Sequence, residues 1–478
     1  MDLPPGDPAP QRCDLLVHNA YLITVNADRE IYLDGALAVR GRHLVAVGRS
    51  ADVRTRWRGA REIDAHGAVV HPGFIETHMH IALHGARNAI NEPVRWDEQQ
   101  KFYADYWSVI SEEDEFVGSQ LAILELVKYG ATAFMDCGTT HAPDAVARAS
   151  EAVGIRARLA DPFLWDVGGF GGAEEDSPTV DRAPADLERS LSLLGGQLAR
   201  NTDPTDLVQG HIAIIGMATC SDELTAAAKD AARRAGVTFN QHQSYCQVDV
   251  ADDDTRLGRH PLVHFAELGI LDAGTTFAHV NIVRDDELEA VTGTGFSVSW
   301  NPISSQMYGV GATAHGRHYQ MGRRGVNLAL GSDSPNYTGR FDTGAQAFQA
   351  ILSSRDQALD AVALNAEDGL EMATINGARA ISAESLLGSL EVGKLADFVI
   401  RRTDTLETTP VTNRVQNLIY SSRSTGIDVV VCNGVIVVAG GVSTMVDEDE
   451  VRRSAQESSS KLLARIGYQP KTIWPEIS

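Results

Sequence analysis

Apolar positions near the start of the chain fall in short β-rich runs, "CDLLVHNAYLITVN" (13–26), "GALAVRGRHLVAVG" (35–48) and "GAVVHPGFI" (67–75), separated by Gly, Asn and Asp. Runs of this length with turn residues between them predict the strands of a small sheet. The same signature returns in "GKLADFVI" (393–400) and "GIDVVVCNGVIVVAGG" (426–441), where two strands flanking Asn433 and Gly434 predict a hairpin. Neither end holds enough strands to close a core, so a single small β-sandwich is expected from residues 1–68 and 395–445 together.

Between the two ends the period changes. "AILELVKYGATAFMDCG", "ELTAAAKDAARRAGVTFNQHQ" and "PLVHFAELGILDAGTTFAHV" each pass from a helical repeat through Gly into a short strand. Such alternation over roughly 300 residues predicts an α/β fold whose parallel sheet closes as a (β/α)8 TIM-like barrel, an architecture that typically needs about 250 residues. The barrel is expected over 69–394. A doubly wound sheet is the competing arrangement, but no GxGxxG or Walker loop follows the first strand. Residues 446–478 make a charged, Ser-rich tail, and its amphipathic piece "SAQESSSKLLARIG" reads as a surface helix or subunit contact.

Composition narrows the partners. The chain has 478 residues, 43% of them hydrophobic, enough for one large and one smaller domain. Lys and Arg number 41 against 64 Asp and Glu, a formal charge of −23 with no basic block, so neither nucleic acid nor an anionic membrane surface is expected as a partner. Cys13, Cys137, Cys220, Cys246 and Cys432 are scattered without CxxC spacing, which argues against a structural zinc site or disulfide scaffold and fits a reducing cytoplasm. The opening "MDLPPGDPAP" has no basic stretch leading into an apolar one, and no apolar run is long enough to span a bilayer. A soluble, cytoplasmic protein is expected.

In a barrel, chemistry gathers where strands end. The first barrel strand ends in Thr77, His78, Met79 and His80, and strand alternation turns both histidines to one side. "GVTFNQHQSY" sets His242 at another strand end, "GTTFAHVN" sets His279 at the next, and "GVNLALGSDSPN" ends a later strand at Asp333. Each alone could be structural: a solitary His is often a satisfied core residue, and an Asp in a GSDSP turn is often a turn former. Together, imidazole nitrogens and a carboxylate suit a divalent first-row cation, with an open position for water marking a catalytic site.

The ordered set "PGFIETHMH", "FNQHQ", "FAHVN", "LALGSDSPN" and "GSLEVGKLADFVI" resembles the metal-dependent amidohydrolase superfamily, most nearly its triazine hydrolase, cytosine deaminase and adenosylhomocysteine deaminase branch. The resemblance implies His78, His80, His242 and Asp333 as ligands of one divalent metal ion, with zinc expected and iron, cobalt or manganese as alternatives. It further implies that His279 orients water or polarises the substrate and that Asp333 also carries the proton. Two departures shape the expected reaction. Binuclear members bear a lysine on the fourth strand, and "QGHIAIIGMATCSDE" offers none, so one metal is expected rather than two. Deaminase-like members place a glutamate three residues after the strand-five histidine, and here that residue is Tyr245.

An unperturbed phenol, with a pKa near 10, replaces a carboxylic acid poorly. The expected reaction is therefore hydrolysis of a C–N bond in an amide-, urea- or carbamate-like small molecule, the leaving nitrogen being protonated by Asp333. Phenylurea and thiocarbamate hydrolases belong to the same branch, although they can carry Asn-x-His where this chain has His-x-His. An aminohydrolase acting on a nitrogen heterocycle is the alternative, for instance with Glu92 as the acid, and a non-catalytic barrel used as a binding or assembly protein is the alternative of another class. Trp165, Phe170, Trp300, Met307, Tyr308, Tyr337 and Phe341 are candidate pocket walls in the βα loops, with Tyr245, Trp165, Asn301 and Tyr308 as the expected substrate contacts. "DVGGFGG" is expected to be a mobile lid, and the protein a homo-oligomer.

Overall fold

The computed structural model describes residues 9–92, 94–168 and 182–477. Eight parallel strand segments follow one another in barrel order: Phe74–Met79, Ala131–Asp136, Arg156–Leu159, Val208–Gly210 running on into Ile212–Gly216, Phe239–Gln243, Thr275–His279, Ser297–Trp300 and Asn327–Leu330. They pair as ladders of four and five strands that meet in the fourth, interrupted at His211. A parallel bridge between Met79 and Asp333 links the first strand to the eighth. The ring lies inside a layer of helices, where Phe239, Phe277, Phe296 and Val298 pack outward in a core shared with Ile123, Leu126 and Val127 of the helix Glu112–Lys128.

One helix between the strands shows how local sequence sets its ends. Asp222–Ala235 is capped by Ser221, whose hydroxyl accepts from the Leu224 amide. Acidic residues stand in its first turn and Arg233 and Arg234 in its last, and Gly236 ends it in the left-handed region at φ 66°.

The small sheet has nine strands drawn from both parts of the chain. Its main path runs Val442–Ser443, Val435–Ala439, Ile427–Cys432, Phe398–Arg401, Val69–Pro72, Gln11–Ile23, Ile31–Arg40 and His43–Arg49, while Trp57–Asp64 pairs in parallel with Gln11–Ile23. Val69–Pro72 is antiparallel to Phe398–Arg401, so the sheet runs on past the boundary expected at residue 68: the apolar run before Gly73 serves the small sheet, and the barrel begins after it. Polar ties join sheet to barrel. Arg156 of the third barrel strand donates to Asp397 at 2.8 Å and to Asn433 at 2.7 Å. Arg401 donates to the Tyr129 carbonyl, at the end of the helix before the second barrel strand, at 2.9 Å.

Glu448–Arg465, the helix of the tail, packs on Glu112–Lys128. Ser458 donates to Asp114 at 2.8 Å, Arg465 pairs with the same carboxylate, and Lys128 meets Glu448 at 2.8 Å. None of the five cysteines is in a disulfide. Among the described residues no helix is long and apolar enough to cross a membrane.

Candidate metal centre

His78 and His80 leave the end of the first strand, His242 and His279 end the fifth and sixth, and Asp333 follows the eighth. His279 and Asp333 both take left-handed backbone, φ 74° and 64°, which costs of order 1–3 kcal/mol at a non-glycine residue and persists only where the surroundings impose it. At Asp333 the imposition is local hydrogen bonding. The Ser332 and Asp333 amides both donate to the His78 carbonyl, at 3.1 and 3.0 Å, and the His80 amide donates to the Asp333 carbonyl at 3.2 Å.

The donor atoms converge. His80 Nε2 lies 3.2 Å from Asp333 Oδ1 and 3.3 Å from His242 Nε2, and His78 Nε2 lies 3.7 Å from Asp333 Oδ1. Both ring nitrogens of His78 are buried without a hydrogen-bond partner, an arrangement that is costly unless a ligand takes them up. Surrounding groups hold the other rings so that Nε2 faces inward: His242 Nδ1 donates to the Ile215 carbonyl at 2.7 Å, and His80 Nδ1 lies 2.8 Å from Thr139 Oγ1. Burial lowers the pKa of His78 and His242, keeping their lone pairs free. At His80 burial acts the same way, but Cys137 and Asp333 override it and raise the ring's pKa, the electrostatic signature of a place that favours positive charge. Burial alone would raise Asp333, yet His78 and His80 hold its carboxyl well below the usual range. These residues fit a divalent ion and could hold one.

His279 has a different task. Asn301 Nδ2 donates to its Nδ1 at 3.0 Å, which leaves the proton on Nε2, and burial lowers its pKa to about 3. It is a neutral ring with an N–H to offer. Asp333 is steadied in turn by Ser304, which donates to Oδ2, and by Ser334, which donates to Oδ1 at 3.1 Å.

Above the cluster sits a small cavity of about 40 Å³ lined by Leu83, Gln100, Tyr103, Trp107, Met217, Tyr245, Tyr308 and Ser334, together with His80, His242, His279 and Asp333. Tyr245 packs edge-on to His279 at 4.7 Å between ring centroids, and the Tyr103 and Tyr308 hydroxyls hydrogen-bond each other. Burial pushes all three phenols up, Tyr103 to about 12, so they stay protonated.

Several expected wall residues lie elsewhere. Trp165 is fully buried in the core, its indole donating to the Ala183 carbonyl at 2.7 Å, because the chain after the third strand folds back under the helix that begins at Leu187. Asn301 is behind His279 rather than in the wall. Trp300 stacks on His318 at 4.1 Å, Phe341 is in the core against His84, Met307 is turned outward, and Tyr337 reaches the cavity only through Tyr308, 4.8 Å away. Glu92 is exposed beside Tyr337 and does not line the cavity. Phe170 and most of "DVGGFGG" lie outside the described residues.

Several neighbours of the site escaped sequence reasoning. Cys137, just past the second strand, has its Sγ 3.3 Å from His80 Nδ1 and joins His78, His80 and His242 in one cluster of possible metal donors. Its signal was position, a Cys following "AFMD" at a strand end. Tyr103 and Trp107 come from the helix Trp96–Val109, whose "FYADYW" carries aromatic residues at i and i+4, and Met217 follows the fourth strand.

A model of the amidohydrolase family matches residues 69–437. The chain is 28% identical to a 5'-deoxyadenosine deaminase of Methanosarcina mazei, over 95% of this chain and 99% of that one. It is equally identical to a 5-methylthioadenosine/S-adenosylhomocysteine deaminase of Syntrophobacter fumaroxidans, over 97% and 99%. Among solved structures, an adenosine deaminase from Xanthomonas campestris with bound zinc superposes at TM-score 0.83 with 25% identity, covering 95% of this chain and all of that one. An atrazine chlorohydrolase from Arthrobacter aurescens, also with zinc, shares the fold at TM-score 0.81 and 20% identity, over 93% and 100%.

Proposed function

The chain belongs to the amidohydrolase family and is a hydrolase of carbon–nitrogen bonds other than peptide bonds; from that premise we propose that it is a mononuclear aminohydrolase that removes an exocyclic amine from a planar nitrogen heterocycle. The observation that carries this reading is the convergence of His78, His80, His242 and Asp333 beneath a cavity with flat aromatic walls. Zinc is the metal proposed, in keeping with the neighbouring structures. The deaminase relatives favour a heterocycle over the amide, urea or carbamate that the missing glutamate alone had suggested.

When bound, such an ion supplies Lewis-acid activation of water near neutral pH. Asp333, ionised and braced by Ser304 and Ser334, accepts a proton from the attacking water and returns it to the departing nitrogen. His279 donates its Nε2 proton as a hydrogen bond toward the ring atom that gains charge, and Asn301 keeps it in that tautomer. Trp107, Tyr103 and Tyr308 sandwich the ring and exclude water. Tyr245 offers a neutral hydroxyl to a ring nitrogen.

Hydrolysis of an amide- or urea-like bond is the second reading. It is favoured by one observation: among the described residues that line the cavity, Asp333 is the sole carboxylate. An assay of ammonia release from aminated purines, pyrimidines and triazines, run beside aryl amides, ureas and carbamates with the zinc-loaded protein, separates the two. Turnover confined to the second group would refute the heterocycle reading.

A further inference from the structure

One wall of the substrate cavity stands on a helix outside the barrel's own repeat. Gln100, Tyr103 and Trp107 line the cavity from helix Trp96–Val109, at i, i+3 and i+7 on one face. That helix belongs to an excursion, residues 80–111, set between the first barrel strand and the helix Glu112–Lys128. Another face of it carries Phe102 and Tyr106, at i and i+4, both buried and stacked on each other.

The tail of the chain meets that second face. Among the described elements, the tail helix Glu448–Arg465 is the one on which Trp96–Val109 packs most closely. Gly467, in the left-handed region at φ 62°, ends the tail helix, and the Tyr468 amide donates back to the Leu463 carbonyl at 2.9 Å. The turn sets the Tyr468 ring edge-on to Phe102, at 4.8 Å between centroids. Its hydroxyl accepts from the Asn91 amide at 3.1 Å, and the Asn91 side-chain oxygen accepts from the Lys471 amide. Ring and hydroxyl thus grip the excursion twice, on the helix and on the segment leading into it. On the cavity side, Tyr103 is tied to Tyr308 through their hydroxyls.

We propose that Tyr468 is a positioning residue for the substrate: through Phe102 and Asn91 it holds Gln100, Tyr103 and Trp107 in the cavity wall from outside. This role depends on that cavity being the one that takes the heterocycle. An excursion gripped chiefly by the tail opens locally more readily than the barrel beneath it. Where the wall is in place in only a fraction of the molecules, apparent affinity falls by that fraction. Asp333 and His279 act as before once the substrate is held. Loosening Tyr468 therefore raises KM and leaves kcat.

The zinc-loaded full chain tests this on whichever aminated purine, pyrimidine or triazine it turns over fastest. Tyr468→Ala should raise KM about 5-fold or more with kcat within about twofold. Amide hydrogens at 96–109 should exchange about 10-fold faster, while those of Phe239–Gln243 stay unchanged. Tyr468→Phe keeps the ring on Phe102 and should restore most of both. Lys128→Ala, which frees the start of the tail helix from its tie to Glu448, should move neither. An unchanged KM in Tyr468→Ala, or exchange that quickens equally throughout the barrel, would overturn the role. Should Tyr468→Ala fail to fold, Tyr468→Leu carries the same comparison. If no compound of the panel is turned over, the heterocycle reading falls, and exchange at 96–109 alone decides whether Tyr468 holds the wall.

Discussion

His80 Nε2 and Asp333 Oδ1 stand 3.2 Å apart, and between them they join the first barrel strand to the eighth. The ring is thinly hydrogen-bonded at this seam, through the Met79–Asp333 bridge and the amides that meet the His78 carbonyl. An ion held by donors from both sides would close it. The purified protein is expected to contain about one divalent metal per chain, and chelation should lower Tm and speed hydrogen exchange at residues 78–80 and 331–334. His80→Ala should lose the metal. Two equivalents at full activity, or an unchanged Tm after complete chelation, would rule out a single ion at the seam.

Asp333 is proposed as both donor and proton carrier, and the two tasks come apart in Asp333→Asn. The amide keeps Oδ1 for the ion and for Ser334, its Nδ2 now donates toward the Ser304 hydroxyl instead of accepting from it, and it cannot take a proton. Turnover should fall by about 10³-fold or more, with metal content measured in the same sample still near one per chain. Asn301→Leu should cost less, about 10–100-fold, because it frees the His279 tautomer without removing a reacting group. Retention of both metal and activity in Asp333→Asn would remove Asp333 from the reaction.

How much of this was legible beforehand follows from what each residue answers to. His78, His80, His242, His279 and Asp333 sit at strand ends, and strand ends are marked in sequence by a short apolar run meeting Gly or a polar residue. The shared sheet was legible because turn residues punctuate both ends of the chain. Trp165 and Asn301 misled because which way a βα loop turns its side chains depends on what packs against it. The Ala183 carbonyl and His279 that receive them come from other elements. Tyr103 and Trp107 were missed for the converse reason: they lie on a helix, and nothing local says that the helix crosses the barrel mouth.

The two tryptophans give a direct contrast. Trp165→Phe should lower stability by about 1–2 kcal/mol, through the lost hydrogen bond to Ala183 and a small cavity, and leave KM unchanged. Trp107→Ala should raise KM several-fold, since that ring lines the substrate cavity. Kinetics and denaturant melts on both variants check the pair, and a KM shift in Trp165→Phe with none in Trp107→Ala would reverse the assignment.

Glu115 supplies a pH dependence far from the reaction. Buried in the helix Glu112–Lys128, it accepts the His141 and Ala142 amides at 2.8 and 2.6 Å, yet burial raises its carboxyl from 4.5 to about 7. A raised folded pKa means that the folded chain holds the proton more tightly than the unfolded one. Stability is therefore full below pH about 4.5 and declines as pH rises to about 7, by at most about 3 kcal/mol. Glu115→Gln keeps one acceptor and cannot ionise, so its urea-unfolding free energy should decline less over that interval than that of the unaltered protein. Parallel curves would show that Glu115 does not contribute.

Tyr245 marks the point where this chain leaves its deaminase relatives, and it can be changed in their direction. Its ring lies against His279 and 6.1 Å from Tyr308 by centroids, in a wall where burial already raises every phenol. A carboxyl placed there in Tyr245→Glu would be raised by the same burial and by Asp333, so it would carry a proton near neutral pH and could give it to a ring nitrogen. Tyr245→Phe removes a neutral donor alone, so it should cost ring deamination less than the roughly 10²-fold expected from loss of a general acid. Tyr245→Glu should instead raise kcat for an aminated heterocycle and leave amide or urea cleavage, where Asp333 protonates the leaving nitrogen, no faster. The two variants, assayed for ammonia release at equal metal content, separate the reaction classes. If Tyr245→Glu accelerates amides and ureas but not heterocycles, the heterocycle reading fails, while His78, His80, His242 and Asp333 keep their proposed metal.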